Sequence, residues 1–253
     1  MTKLGFQLYS ARNFPPLSDV LKKLSAAGYA HVEGFGGIYG SMDDAALKAL
    51  RSDLDANNLT MPTGHFGLDM LEGEPQKALN IAKTLGIQAI YCPYLLPDQR
   101  PSDAAGWLSF GKRLQDAAKP FRDAGLAFGW HNHDFEFIKL DDGSTPQDQI
   151  FAGGPELEWE ADIAWIIRGK ADPFEWIERY ASRITAVHVK DIAPAGENTD
   201  EDGWADVGHG TVDWKGLVDV LKKTAVKYYV VEHDNPKDVD QLITRSIASF
   251  NTY

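Results

Sequence analysis

The sequence predicts a (β/α)₈ barrel that forms a single domain over residues 1–253. The length of 253 residues is typical of such a barrel. Eight short apolar segments alternate with stretches that repeat apolar residues at helical spacing, and no linker-like tract interrupts them. An open, doubly wound sheet is the alternative, but no glycine-rich phosphate turn follows the first strand to favour it.

The eight predicted strands are short apolar runs, most of which end on a polar residue. They cover residues 3–9, 30–35, 60–65, 89–93, 126–131, 157–162, 184–190 and 228–232. Between them, apolar residues recur at the spacing of an amphipathic helix, as in Val20, Leu21 and Leu24 and again in Leu217, Val218 and Leu221.

Several residues mark where the predicted helices begin and end. Asp172 followed by Pro173 is typical of a helix N-cap with proline in the first turn, and Gly28, Gly86 and Gly125 end helices just before strands. Two loops, residues 134–154 and 192–211, are long for this fold, and long loops in compact domains are often functional.

Composition narrows the class of partner. The net charge of −12 argues against nucleic acid and anionic membranes, which are bound by clustered lysine and arginine. No apolar run approaches the ~20 residues of a membrane span, and the first residues lack the apolar stretch of a signal peptide. The single cysteine, Cys92, allows no intrachain disulfide. These features predict a cytoplasmic protein.

Polar residues collect where the predicted strands end. Histidines lie at or just beyond these ends at positions 65, 131, 133, 188, 209 and 233, and carboxylates at positions 33, 162, 191 and 232. In a barrel, such side chains converge on one mouth, where barrel enzymes keep their active sites. A single histidine there is usually structural, but six at one rim favour a mixed imidazole and carboxylate site for one divalent ion, Mn²⁺, Zn²⁺, Co²⁺, Fe²⁺ or Mg²⁺.

Two segments are dense in such residues. In an extended backbone, His131 and His133 project to the same side, and so do His188 and Lys190. Lys190 is then either a solvated charge or a group that holds a substrate oxygen. Glu232 ends the last strand, where an inward carboxylate needs a metal or a hydrogen-bond donor. Asp162 can instead serve as the N-cap of the following helix.

With these segments the chain resembles the xylose isomerase-like barrel superfamily, in the sugar phosphate isomerase/epimerase branch that includes inosose dehydratase and keto-sugar epimerases. The resemblance covers essentially the whole length. It is carried by residues 5–10, 28–33, 64–65, 129–137, 162–165, 169–173, 183–191 and 208–214. The histidine-rich segment 129–137 and the His-x-Lys-Asp segment 188–191 are specific in combination.

The resemblance implies a metal held by residues from strands five to eight. The matching ligands are Asp162, His188 and Glu232, and the fourth is either Glu136, which we favour, or His131. Glu232, His131, His133 and Lys190 become the candidates for catalysis. The candidates for substrate binding are Gln7, Glu33, His65, Trp130 and His209.

The implied activity is that of an isomerase or epimerase, which removes a proton next to the carbonyl of a keto-sugar or inosose. A lyase or dehydratase acting on the same substrates is the alternative, because a β-hydroxyl can leave after the same first step. A sugar-binding barrel without catalysis is the rival of another class, and the acidic charge disfavours an endonuclease. The expected partner is a small sugar or polyol, with homo-oligomer formation left open.

Overall fold

The computed structural model, which describes residues 3–14 and 16–253, contains a closed barrel of eight parallel strands. This confirms the predicted fold class. The barrel strands are β1 (Leu4–Gln7), β2 (His31–Phe35), β3 (Thr60–His65), β4 (Ala89–Cys92), β5 (Ala127–His131), β6 (Glu158–Asp162), β7 (Ile184–Val189) and β10 (Tyr228–Val231). Around the barrel the strands follow the order β1-β10-β7-β6-β5-β4-β3-β2.

All eight predicted strands are present, and most are slightly shorter than predicted. The first strand shows why: the chain turns into a 3₁₀ helix, Leu8–Ala11, as soon as β1 ends. The Gln7 side chain accepts a hydrogen bond from the backbone N–H of Tyr9 and so caps this turn. The polar residue at the end of the strand therefore stops the ladder.

The helices form the outer layer of the barrel. They are α1 (Leu17–Ala27), α2 (Gly36–Tyr39), α3 (Asp44–Ala56), α4 (Leu68–Gly73), α5 (Pro75–Leu85), α6 (Ala104–Ala117), α7 (Lys119–Asp123), α8 (Pro146–Gly153), α9 (Ile163–Arg168), α10 (Pro173–Arg179), α11 (Trp214–Leu221) and α12 (Val239–Phe250). The boundary signals are confirmed: Asp172 caps α10, and Gly28 and Gly86 end α1 and α5 in the left-handed conformation.

The two long loops contain structure of their own. The loop after β5 includes the 3₁₀ turn Phe135–Phe137 and helix α8. The loop after β7 includes a small antiparallel sheet of β8 (Asp191–Ile192) and β9 (Trp204–Ala205), which we did not predict. These two-residue strands are too short to show a repeating pattern. Among the described residues, no helix is long and apolar enough to cross a membrane.

Alternation along the strands separates an apolar core from a polar interior. Outward side chains such as Phe128 and Trp159 pack with the helices in the main hydrophobic core. Inward side chains near the carboxyl ends are mostly polar and fully buried, as Glu33 and His188 are. Since water does not reach these groups, they must bind one another or a ligand.

Candidate active site at the mouth of the barrel

Four buried side chains meet where the barrel strands end. A nitrogen or oxygen atom from each of His131, Asp162, His188 and Glu232 lies within 4.8 Å of the corresponding atom of the other three. We call these four residues the rim group. His188 Nδ1 lies 2.9 Å from Glu232 Oε2 and 3.8 Å from Asp162 Oδ2. Two imidazoles and two carboxylates this close form a donor set suited to a divalent transition metal.

Strand register brings the rim group together. Asp162 pairs with His188 across β6 and β7, and His188 pairs with Val230, two residues before Glu232, across β7 and β10. Parallel strands thus place side chains that are far apart in sequence at the same height in the barrel.

Asn132 ties the end of β5 to the end of β6. Its Oδ1 accepts hydrogen bonds from Trp159 Nε1 (2.8 Å) and from the backbone N–H of Asp162 (3.0 Å), and its Nδ2 donates to the Asp162 carbonyl (3.1 Å). These bonds fix the backbone of one rim residue relative to the strand that carries another, His131. The asparagine between the two histidines is therefore structural.

Asp162 has two roles that the sequence analysis treated as alternatives. Its Oδ1 accepts a hydrogen bond from the backbone N–H of Trp165 at 3.0 Å and caps helix α9. The same carboxylate belongs to the rim group through its second oxygen, which lies 3.8 Å from His188 Nδ1. Asp162 therefore caps α9 with Oδ1 and faces the site with Oδ2.

Lys190 balances the negative charge of the rim group. Its ammonium nitrogen lies 2.8 Å from Glu232 Oε2, 3.1 Å from Asp162 Oδ2 and 3.1 Å from Asp234 Oδ2. Burial alone would lower the pKa of Lys190, but the three carboxylates raise it above its ordinary value. Lys190 is therefore charged, fully buried and held by carboxylates, so it is not a solvated surface charge.

The same carboxylates act on the imidazole of His188. Burial would lower the pKa of His188, but Glu160, Glu232 and Glu33 together raise it well above its usual range. By contrast, burial and the neighbouring His188 and His65 hold the pKa of His131 well below that range. A metal ligand must lose its proton, so an ion at the rim group would displace a proton from His188.

A second polar group lies beneath the rim group. His65, Glu160, His131 and His188 place ligand atoms within 4.8 Å of one another, so two of its members are shared with the rim group. We call the residues here that do not belong to the rim group, Glu33, His65 and Glu160, the deep group. His65 Nε2 lies 2.5 Å from Glu160 Oε2 and 3.2 Å from Glu33 Oε1.

A cavity of about 640 Å³ opens above these residues. His65, His131, His133 and Glu232 line it, together with Asp134, Asp202 and Asp234. Its walls are largely aromatic, from Tyr9, Phe35, Tyr94, Phe135, Trp165 and Trp204. Two arginines lie over rings of these walls. The Arg168 guanidinium carbon is 3.1 Å from the Trp204 ring centre, and that of Arg100 is 3.5 Å from the Phe135 ring centre. The volume lies within the usual range of small-molecule sites.

His133 differs from the other histidines that line the cavity. His65 and His131 each contact Glu160, whereas His133 has no carboxylate partner among the described residues, and its Nδ1 is buried without a hydrogen bond. Its ring lies between aromatic rings, 4.9 Å from Tyr94 and 5.3 Å from Trp165 between centroids. Burial and the nearby Lys190 lower its pKa to about 3, so the imidazole is neutral near pH 7.

Three predicted site residues, Glu136, Trp130 and His209, neither belong to the rim group nor line the cavity. The Glu136 carboxylate accepts hydrogen bonds from Trp130 Nε1 (3.1 Å) and from the backbone N–H of His133 (2.9 Å), because the turn Phe135–Phe137 carries it away from the rim. We therefore replace Glu136 with His131 in the candidate ligand set.

Trp130 and His209 are also corrected. Trp130 precedes the inward His131, so alternation points it outward, where it is fully buried and its ring packs 5.3 Å from Phe110. His209 follows β9 and is exposed, and its Nε2 lies 3.5 Å from Ser249 Oγ near α12. Neither residue lines the cavity.

Gln7 and Glu33, predicted to bind substrate, lie beneath the rim group. Both are fully buried, and Gln7 Nε2 donates a hydrogen bond to Glu33 Oε1 at 2.7 Å. Among the predicted substrate-binding residues, only His65 lines the cavity. Of the predicted catalytic residues, Glu232, His131 and His133 line it, whereas Lys190 lies behind the carboxylates that it binds.

Sequence reasoning missed Glu160 and Asp234. Glu160 shares a face of β6 with Asp162, so the alternation that we used for His131 and His133 could have identified it. Asp234 lines the cavity and binds Lys190, but it lies beyond the end of β10, where strand periodicity no longer applies.

The family model described as xylose isomerase-like TIM barrel matches residues 21–253. None of the curated proteins matches the sequence.

Solved structures with the same fold cover nearly the whole chain. A sugar phosphate isomerase/epimerase from Parabacteroides distasonis is 20% identical, with a TM-score of 0.79. The superposition covers 98% of this chain and 92% of that protein's chain. A probable 3-DHS dehydratase, AsbF, from Bacillus anthracis is 13% identical with a TM-score of 0.74 over 99% of both chains. The IolI protein, solved with a bound zinc atom, is 16% identical, with a TM-score of 0.73. The superposition covers 100% of this chain and 99% of the IolI chain.

Proposed function

The chain belongs to the xylose isomerase-like TIM barrel family, and from this premise we propose that it is a divalent-metal-dependent isomerase or epimerase. Its substrate is a keto-sugar or inosose, from which it removes a proton next to the carbonyl. The observation that carries this proposal is the position of His133: a neutral histidine without a carboxylate partner in the described chain lines the same cavity as His131 and Glu232 of the rim group.

The rim group fits one divalent ion. His131, Asp162, His188 and Glu232 supply two nitrogen and two oxygen donors, a set that suits Zn²⁺, Mn²⁺, Fe²⁺ or Co²⁺ better than Mg²⁺. When bound, such an ion supplies Lewis acidity, which stabilises negative charge on a carbonyl oxygen and makes the neighbouring C–H more acidic. The similar IolI structure was solved with a bound zinc atom, which supports this choice.

His133 and Glu232 then handle the proton. Both line the cavity, and both are unprotonated near pH 7: the pKa of His133 is lowered to about 3, and Lys190 and His188 hold the pKa of Glu232 well below its usual range despite burial. Negative charge that develops on the substrate raises the pKa of His133, which strengthens it as a base at the moment of transfer.

The aromatic walls provide the binding surface. Tyr94 and Trp165 offer aromatic faces, against which the C–H faces of a sugar or cyclitol ring can pack. Lys190 lies behind Glu232 and Asp162, where it orients the carboxylates instead of touching the substrate. A small polyol also suits a chain of net charge −12 better than a nucleic acid does.

The fate of the proton decides the product. Return of the proton to the other face of the same carbon inverts that carbon, and return to the neighbouring carbon gives an isomer. Departure of a β-hydroxyl as water gives an unsaturated ketone, so a lyase is the alternative. The similar structures include both a sugar phosphate isomerase/epimerase and a probable dehydratase.

Incubation with substrate in D₂O tests the proposal. We expect a panel of keto-sugars and inososes to contain a compound that takes up deuterium at the carbon next to the carbonyl, because proton abstraction there is the first step. Mass spectrometry and proton NMR measure the uptake, and product analysis separates epimerisation from water loss. Chelator-treated protein serves as the control and should show no uptake.

A sugar-binding barrel without catalysis is the competing outcome. It would show sugar binding that survives removal of the metal and no deuterium uptake from any compound of the panel. That combination would lead us to abandon the enzyme.

A substitution at Glu136 tests the revised ligand set. Glu136→Gln should keep one metal ion per chain, because the carboxylate binds Trp130 and the His133 backbone and lies outside the rim group. The amide leaves one of these two donors without an acceptor, so the free energy of unfolding should fall by about 1–3 kcal/mol. Metal analysis and urea unfolding measure the two effects. Asp162→Asn is the matched control, and it should lose the metal; a folded Glu136→Gln protein without metal would restore Glu136 as a ligand.

A further inference from the structure

The two histidines of the rim group each contact a carboxylate on their lower side. His188 Nδ1 faces Glu232, while its Nε2 lies 2.7 Å from Glu33 Oε1. His131 Nδ1 lies 3.1 Å from Glu160 Oε2, and its ring lines the cavity. Glu33 and Glu160 are both fully buried, so these contacts are shielded from water. Each imidazole therefore binds a deep carboxylate through one nitrogen, Nε2 in His188 and Nδ1 in His131, and the other nitrogen is the one that can bind a metal.

The hydrogen-bond direction at Glu33 can be assigned. The Gln7 Oε1 accepts from the backbone N–H of Tyr9 at 3.1 Å, so the amide group of Gln7 must be the donor to Glu33 Oε1. Glu33 Oε1 is thus an acceptor, and His188 must present Nε2–H to it. His188 Nδ1 faces Glu232 Oε2 at 2.9 Å and so carries a proton as well. An ion at the rim group displaces this proton on Nδ1, because the proton on Nε2 stays bound to Glu33.

A similar assignment applies to His131. Glu160 Oε2 contacts both His131 Nδ1 at 3.1 Å and His65 Nε2 at 2.5 Å. When Glu160 is ionised, its Oε2 accepts from both imidazole nitrogens, which places a proton on Nδ1 of His131 and leaves the lone pair of Nε2 for a metal.

These assignments argue against a second metal ion in the deep group. A second ion would be held by His65, Glu160, His131 and His188, and the last two also belong to the rim group. These two histidines would therefore bind both ions, and each would have to lose both of its ring protons. A neutral imidazole has only one lone pair available for a metal, and the other nitrogen keeps its proton.

We propose that Glu33 and Glu160 are positioning residues that fix the tautomers of His188 and His131, so that the metal is bound through Nδ1 of His188 and Nε2 of His131. This rests on the proposed metal site but not on the proposed reaction. Carboxylates that accept the outer N–H of ligating histidines set ring orientation and raise ligand basicity, and their loss typically lowers metal affinity by about 10–100-fold.

The test compares two substitutions at Glu33. Glu33→Ala removes the acceptor and should weaken zinc binding by about 10–100-fold in a competition with a chromophoric chelator. Glu33→Gln keeps an amide oxygen that can accept from His188, so it should retain most of the affinity. Glu158→Ala, which removes a carboxylate two residues before Glu160 on β6, is the matched control and should bind zinc as the original protein does.

Nitrogen NMR of the zinc-loaded original protein tests the tautomers even if a variant fails to fold. We expect His188 to carry its proton on Nε2 and His131 on Nδ1, with one zinc ion per chain. Opposite tautomers, two zinc ions per chain, or equal losses in Glu33→Gln and Glu33→Ala would overturn the proposal. Equal losses would show that the charge matters and not the acceptor. Since none of these measurements uses turnover, failure of the proposed reaction would leave them unchanged.

Discussion

Glu232→Gln should lower turnover by about 10²–10⁴-fold, because Glu232 lines the cavity and, in the proposed reaction, handles the substrate proton. The amide has the same shape but is a far weaker base and a poorer metal ligand. The protein should stay folded, since Lys190 keeps Asp162 and Asp234 as partners and no apolar packing changes. Steady-state kinetics at saturating metal give the rate, and circular dichroism reports the fold.

Asp234→Asn is the control for the loss of one charge near Lys190. It removes a carboxylate that binds the same ammonium but does not belong to the rim group, so its effect on metal content should be small. If Glu232→Gln retained near-normal turnover with metal bound, Glu232 would have neither of the roles assigned to it.

His133→Asn and His131→Asn should fail in different ways. In the proposed reaction His133 is a base and not a ligand, so its loss should lower the rate by about 10²–10⁴-fold at unchanged metal content. His131 belongs to the rim group, so its loss should first lower metal affinity and thereby the rate. Metal analysis of each purified variant, paired with its rate at several metal concentrations, separates the two.

Added metal provides the decisive comparison. It should restore part of the activity of His131→Asn and none of that of His133→Asn. The reverse pattern would exchange the two roles and place His133 among the ligands.

The sequence was sufficient for the barrel and for three of the four rim residues. Strand ends could be read from polar residues that stop apolar runs, and the parallel arrangement places such ends at one mouth. Asp162, His188 and Glu232 follow from that argument, and the structure brings them together.

Glu136 and His209 were predicted wrongly because both lie beyond the strands, where the alternation of side chains no longer applies. The 3₁₀ turn Phe135–Phe137 redirects Glu136 towards the His133 backbone, and this turn has no repeating pattern that a sequence shows. His209 lies beyond β9, a two-residue strand, and faces α12 instead of the mouth. Trp130 and Glu160 were avoidable errors, because strict alternation from His131 and Asp162 assigns both correctly.

The double role of Asp162 links two parts of the site mechanically. One oxygen of its carboxylate holds the first turn of α9, and this short helix carries Trp165 and Arg168 into the cavity wall. An ion that draws in the other oxygen therefore pulls on the helix that shapes the wall. We expect ion and substrate to assemble cooperatively for this reason, each strengthening the binding of the other by the same factor, as thermodynamic reciprocity requires.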